Sequence, residues 1–163
     1  MSNCRRCGAP QALELKNGRV VCEFCATSSL PLAGSGLLED IIDLGCEAQT
    51  DCPGCGTRLR SGLIEGQAVA WCSDCRGMLF ADVAFAAAVR IRRAAFGEYG
   101  RAPRPLDPQA LERRIACSRC RRPMQVHPYY GPGNVVVDSC YPCGLVWIDA
   151  GELVQIEQAP GRR

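Results

Sequence analysis

Large apolar side chains are scarce in this chain. Its 163 residues include only four Phe, four Tyr and two Trp, and cysteine and alanine inflate the 47% hydrophobic fraction. A small module with so little apolar bulk needs a staple to hold its fold. No run approaches the ~18 consecutive apolar residues of a membrane-spanning helix. The opening Met1-Ser2-Asn3-Cys4-Arg5-Arg6-Cys7 has none of the apolar character of a secretory signal. These two absences predict a cytoplasmic protein without a membrane segment, whose thiols stay reduced. An excess of one charge is missing too. Nineteen basic residues face 17 acidic ones, a net +2 that lacks the footprint of a dedicated nucleic-acid binder. Lys16 is the only lysine, so the basic residues are otherwise arginine, a skew that reads as genome composition, although arginine also suits phosphate and carboxylate recognition.

Cysteine is what the chain has in excess, with 13 residues. Twelve form an internal repeat, each unit reading CxxC, a spacer, then CxxC. Cys4 and Cys7 go with Cys22 and Cys25, Cys52 and Cys55 with Cys72 and Cys75, and Cys117 and Cys120 with Cys140 and Cys143. The spacers hold 14, 16 and 19 residues, and only Cys46 is left over. Each spacer contains two extended runs around a turn: Lys16-Asn17-Gly18-Arg19 in the first, Glu65-Gly66 in the second, Gly131-Pro132-Gly133-Asn134 in the third. The predicted unit is a β-hairpin whose two ends each carry a cysteine knuckle.

Tetrahedral zinc takes four thiolates at about 2.3 Å, and paired CxxC motifs at this separation are the expected spacing. The fold class is therefore a small metal-stabilised β protein with three zinc-ribbon units joined by short α-helices, holding three Zn2+ ions with four Cys each. Disulfide clusters conflict with a reducing compartment, and a thioredoxin-like dithiol would lack a partner CxxC. Iron in the same four-thiolate geometry stays open as an alternative. Four thiolates around Zn2+ leave a charge of −2, which the arginines at the knuckles (Arg5, Arg6, Arg58, Arg76, Arg119 and Arg121) would offset.

The expected organisation is ribbon one at 1–27, a linker with a short helix at 28–50, ribbon two at 51–80, a helix at 81–97, a Pro/Arg-rich linker at 98–116 and ribbon three at 117–158. In the first linker, Leu37-Leu38-Glu39-Asp40-Ile41-Ile42-Asp43-Leu44 reads as an amphipathic helix stopped by Gly45. The helix from Asp82 has an N-cap residue and an alanine-rich interior. Gln109 to Ile115 reads as a helical turn or two, and Gly151 to Gln158 as a short helix.

Cys140-Tyr141-Pro142-Cys143-Gly144-Leu145-Val146-Trp147-Ile148-Asp149-Ala150-Gly151-Glu152-Leu153 resembles the bacterial zinc-finger family named for transcription factor IIB. That pattern continues its second knuckle into Gly-Gly, an apolar residue, Trp, an apolar residue, Asp and Gly-Glu-Leu. Leu145 replaces the second glycine. Residues 52–85 resemble the same family less closely, with Leu79 where Trp is usual and Ala81 where Asp is usual. The resemblance implies a zinc-ribbon fold and metal binding, not transcription. Trp147 is expected to shield the site. Asp149 is expected to cap a helix from Ala150, with Glu152 as the other arm of a capping box.

No catalytic residue is expected. Each unit is closed by four thiolates, whereas a hydrolytic zinc keeps an open position. His127 is a fifth candidate ligand in a unit that already has four. Cys46 reads as a buried small residue or a reactive thiol. The predicted function is a non-enzymatic ribbon adaptor for another protein, with no small-molecule substrate. Partner contacts are placed at Phe85, Val89, Arg92, Arg93, Tyr129 and Tyr130. Phe85, Val89 and Phe96 share one helical stripe, which packing against a ribbon also explains. The alternatives are nucleic-acid binding through Tyr129, Tyr130 and the arginine-rich middle, and an iron–thiolate redox protein.

Overall fold

A computed structural model describes residues 13–16, 19–22, 28–29, 41–95, 105–129 and 134–159. Ahead of residue 41 it gives three strands, β1 (Leu13–Lys16), β2 (Arg19–Cys22) and β3 (Ser28–Ser29), in a small antiparallel sheet. Lys16 pairs with Arg19, as the Asn-Gly hairpin signal predicts. Cys4, Cys7 and Cys25 lie outside the described residues.

The next segment overturns an expectation. β4 (Ile42–Asp51) is a ten-residue strand paired with β5 (Arg58–Ile64), where the second half of a helix was expected. Gly45 has φ +78, but its left-handed backbone forms part of an irregularity in the ladder rather than a helix stop. Its N–H donates to the Asp43 carboxylate at 2.9 Å. Cross-strand pairing here outweighs a helical apolar pattern only two turns long. Cys46 sits on this strand and is exposed, not buried as one reading of it had it.

β6 (Gln67–Trp71) follows β5 through Glu65 and Gly66, both at positive φ, the conformation of a type I′ hairpin turn. β7 (Met78–Ala81) leads into α1 (Asp82–Ala95), and α2 (Pro108–Glu112) is a short turn capped by Asp107. β8 (Gln125–Pro128), β9 (Val136–Cys140), β10 (Leu145–Ile148) and α3 (Glu152–Glu157) follow among the described residues. One antiparallel sheet runs β4-β5-β6-β7-β10-β9-β8.

That order places the second and third cysteine units back to back. β7 and β10 both follow the last cysteine of their units, and they pair with each other. Leu79 and Trp147 are each the fourth residue after that cysteine, and they stand directly opposite in the register. A local pseudo-twofold axis therefore passes between them.

The two faces of this sheet hold different cores. On one face Met78, Phe80, Val146 and Ile148 pack with Phe85, Val89, Leu153 and Ile156 of the two helices. On the other, Leu79, Leu145, Trp147, Leu59 and Met124 pack with Cys52, Cys72, Cys117 and Cys140. The period-2 alternation of β7 and β10 sends neighbours to opposite faces, so helices cover one side and sulfur sites bracket the other. Arg92 is buried and ties α1 to Glu157 of α3 at 2.6 Å and to Glu65 of the hairpin turn at 3.4 Å.

Candidate metal centres

Three of the four described knuckles share one hydrogen-bond pattern, and in the fourth, a 3-10 turn at Tyr141–Cys143, Gly144 N–H donates to Tyr141 O at 3.2 Å. In the first of unit two, Cys52 N–H donates to Thr57 O at 2.8 Å and Gly56 N–H to Cys52 O at 2.9 Å. In the first of unit three, Cys117 N–H donates to Arg122 O at 2.8 Å and Arg121 N–H to Cys117 O at 2.9 Å. The residue after the second cysteine is left-handed in all four: Gly56 (φ 81), Arg76 (φ 61), Arg121 (φ 62) and Gly144 (φ 60). This reversal turns the two thiols of a CxxC to one side. Two of the four positions hold arginine, at a backbone cost of roughly 1 kcal/mol relative to an unstrained conformation.

The knuckles bring together two quartets, Cys52, Cys55, Cys72 and Cys75 in one and Cys117, Cys120, Cys140 and Cys143 in the other. Within each, the four Sγ atoms all lie within 4.8 Å of one another. Sγ–Sγ separations of 3.5 Å for Cys52–Cys75, 3.4 Å for Cys55–Cys72 and 3.6 Å for Cys120–Cys140 are far too long for disulfides, and all eight cysteines are free. A tetrahedral ion with sulfur at ~2.3 Å needs its sulfurs about 3.8 Å apart, so the quartets fit such an ion closely. Cys55 N–H points at Cys52 Sγ at 3.4 Å, a donor suited to a thiolate.

The electrostatics of the bare sulfurs point the same way. Hydrogen bonding with the Thr57 side chain, followed by its backbone, draws the Cys55 thiol down to about 6, and a backbone bond from Arg122 draws Cys120 down to about 7. Burial, followed by neighbouring sulfurs, pushes Cys143 up to about 12 and Cys75 higher still. Burial also raises Cys52 and Cys140. Each site readily forms one thiolate, and more of them need a central cation to hold their charge.

Trp147 stands against site two rather than over its own unit alone. A Cβ on Gly77 would overlap the Trp147 ring, and one on Gly54 would meet it at 3.6 Å. The Trp147 ring lies over Gly77, and Leu145 lies diagonally across from Leu79 at the equivalent place on the other side of the seam. Leu79 and Leu145 thus meet diagonally across the pseudo-twofold axis.

The expected helix cap at Asp149 is only half present. Its backbone N–H donates to Glu152 Oε2 at 2.7 Å, the Glu152 arm of a capping box, but Gly151 (φ 83) occupies the N-cap position. The Asp149 carboxylate instead accepts from Trp147 Nε1 at 3.1 Å and pairs with Arg113. Arg113 also pairs with Asp138, which is completely buried and whose pKa burial raises against the lowering effect of that guanidinium. Nothing in the spacing of Arg113, Asp138 and Asp149 announced this cluster. The one available signal was an aspartate inside the apolar run Val135-Val136-Val137-Asp138.

The residues expected to meet a partner fare differently. Phe85, Val89 and Arg92 are buried, and Arg93 donates to Ile156 O at 2.7 Å. Tyr129 packs its ring edge-on against Phe85 at 5.0 Å. Phe85, Val89 and Arg92 hold the helices to the sheet, while Arg93 and Tyr129 stay half-buried at its edge. Tyr130 and Phe96 lie outside the described residues. His127 is not part of either sulfur cluster: its Nε2 lies 2.9 Å from Ser139 Oγ and its ring stacks on Tyr141.

No known family matches the chain, and neither a curated protein nor a solved structure is similar enough to count as a match.

Proposed function

We infer that this chain is a non-enzymatic zinc-ribbon protein, similar to the family named for transcription factor IIB, whose metal ions hold a binding module in shape. The observation that carries this reading is the pair of unbridged cysteine quartets, each with its four Sγ atoms within 4.8 Å. Cys52, Cys55, Cys72 and Cys75 would hold one Zn2+, and Cys117, Cys120, Cys140 and Cys143 a second. The same spacing assigns a third to Cys4, Cys7, Cys22 and Cys25. Zinc suits a closed four-thiolate site with a structural role, and such a site has no open position for a substrate or water. Removing the ions would take the walls from the second core, because Cys52, Cys72, Cys117 and Cys140 are part of it.

The adaptor role keeps its logic but loses its expected surface, since Phe85 and Val89 are in the core. A protein meeting α1 would touch its outer side, where Val83 is 74% and Ile91 39% exposed. Native mass spectrometry tests the metal reading. Three zinc ions are expected in the intact chain, one fewer in Cys75→Ser and one fewer in Cys143→Ser. A folded chain without metal, or a visible ferric–thiolate absorbance, would refute it.

A further inference from the structure

The first knuckles of the two described sulfur sites share one backbone geometry, so each serves as a control for the other. Gly54, Gly56 and Thr57 of the first knuckle in unit two correspond to Arg119, Arg121 and Arg122 in unit three. The hydrogen bonds around them are the same, so three arginines are not needed to build this knuckle. One of them, Arg121, accepts the left-handed conformation that glycine fills in the sister site. In the second knuckle, Ser73 and Asp74 correspond to Tyr141 and Pro142. Unit three has thus exchanged a carboxylate and small residues for three cations and an aromatic ring.

Neutralising the metal site does not account for this. A zinc tetrathiolate carries −2. At site two Arg58 is already paired with Asp51, which leaves Arg76 beside the acidic Asp74. At site three none of Arg119, Arg121 and Arg122 makes an ion pair among the described residues, although Arg60, Arg92 and Arg113 all do. No Asp or Glu occurs from 113 to 137. These three guanidinium groups outnumber the two negative charges of one site.

The aromatic ring lies at the same end. Tyr141 is 65% exposed, and its inner face stacks on His127 at 6.2 Å with 18° between the rings. His127 is itself anchored to Ser139. Arg119 reaches across from the first knuckle to Cys143 O at 3.3 Å, which places its guanidinium beside the knuckle that carries Tyr141.

We propose that the outer surface of the third cysteine unit, formed by Arg119, Arg121, Arg122 and the Tyr141–His127 stack, binds single-stranded nucleic acid. Guanidinium groups take phosphates, and the free face of Tyr141 takes a base. Cationic side chains beside a stacking ring are the combination that recognises a strand without reading its sequence. An acidic peptide would use the arginines but not the ring. The modest net charge of the whole chain confines the interaction to this one surface.

The proposal rests on the metal-held module inferred above, and the test separates the two. The full chain with its native metals is titrated into a fluorescein-labelled oligothymidylate of about 16 nucleotides, followed by anisotropy between roughly 50 and 200 mM salt. Zinc content is measured on every sample. Binding should weaken steeply with salt. The sister-knuckle graft Arg119→Gly/Arg121→Gly/Arg122→Thr should keep its zinc while the log–log salt slope becomes shallower by about 2, at ~0.7 per phosphate contact. Tyr141→Ser should weaken binding by about tenfold or more at unchanged slope, the loss of one stacked base. Full zinc with no oligonucleotide binding at low salt would overturn the surface and leave the metal reading intact. So would a graft with the parental slope, or polyglutamate competing equally while Tyr141→Ser has no effect. Absence of zinc from the parent chain would overturn the metal reading itself.

Discussion

At the scale of single residues, the seam between the two units turns on Gly77 and Trp147. The ring fills the place a Cβ would take, and Trp147 is almost fully buried. Gly77→Ala is expected to destabilise the protein by about 2 kcal/mol through overpacking, read as a lower urea midpoint. Trp147→Leu in the same chain should recover part of that loss, because the equivalent contact across the axis is Leu79 with Leu145. Arg113→Ala should cost more, about 3 kcal/mol, since it leaves the buried Asp138 without its counter-charge. Adding Asp138→Asn should relieve much of it. The cysteines set a pH dependence of known sign. Burial raises Cys52 and Cys75 in one site and Cys140 and Cys143 in the other, so at neutral pH these bind protons that a metal must displace. Apparent zinc affinity should therefore rise with pH, with at least two protons released per ion, measurable by competition with a chromophoric chelator in weakly buffered solution. The two cysteine quartets were legible at this scale because CxxC spacing is itself the geometry of a knuckle. Arg113 was not, because its two partners are brought near it only by the fold.

At the scale of elements, local chemistry foretold the hairpins, the helix from Asp82 and the short helix after Gly151. Asn-Gly, Glu65-Gly66 and an alanine-rich run each specify conformation within a few residues. β4 was misread because Leu44 and Ile41 fit a helical period, while its partner β5 lies beyond the knuckle. Cross-strand pairing of that kind leaves no mark in an eight-residue window. The Phe85–Val89 stripe was visible as an apolar face, but an apolar face does not say whether a sheet or another protein covers it. Here the sheet covers it, and Arg92 closes the contact through Glu157 and Glu65. Arg92→Ala is expected to loosen α1 by about 3 kcal/mol, with faster amide exchange in α1 and α3 while both described sites keep their metal.

At the scale of the whole molecule, pairing of β7 with β10 turns two repeats into one sheet with two cores. The repeat was plain in the sequence, whereas the back-to-back arrangement was not. Nothing in either unit alone states that its last strand will pair with the same strand of the other. One consequence is thermodynamic coupling. Loss of the ion from site two should lower hydrogen-exchange protection in β9 and β10 as well as in β5 and β6, since Trp147 rests against Gly54 and Gly77 of that site. The account as a whole stands on four sulfurs closing around each zinc. X-ray absorption at the zinc edge of the purified protein measures this directly. A single shell of four sulfur neighbours at about 2.3 Å is predicted. A mixed shell containing oxygen or nitrogen, or sulfur–sulfur bonds in place of bound metal, would contradict it.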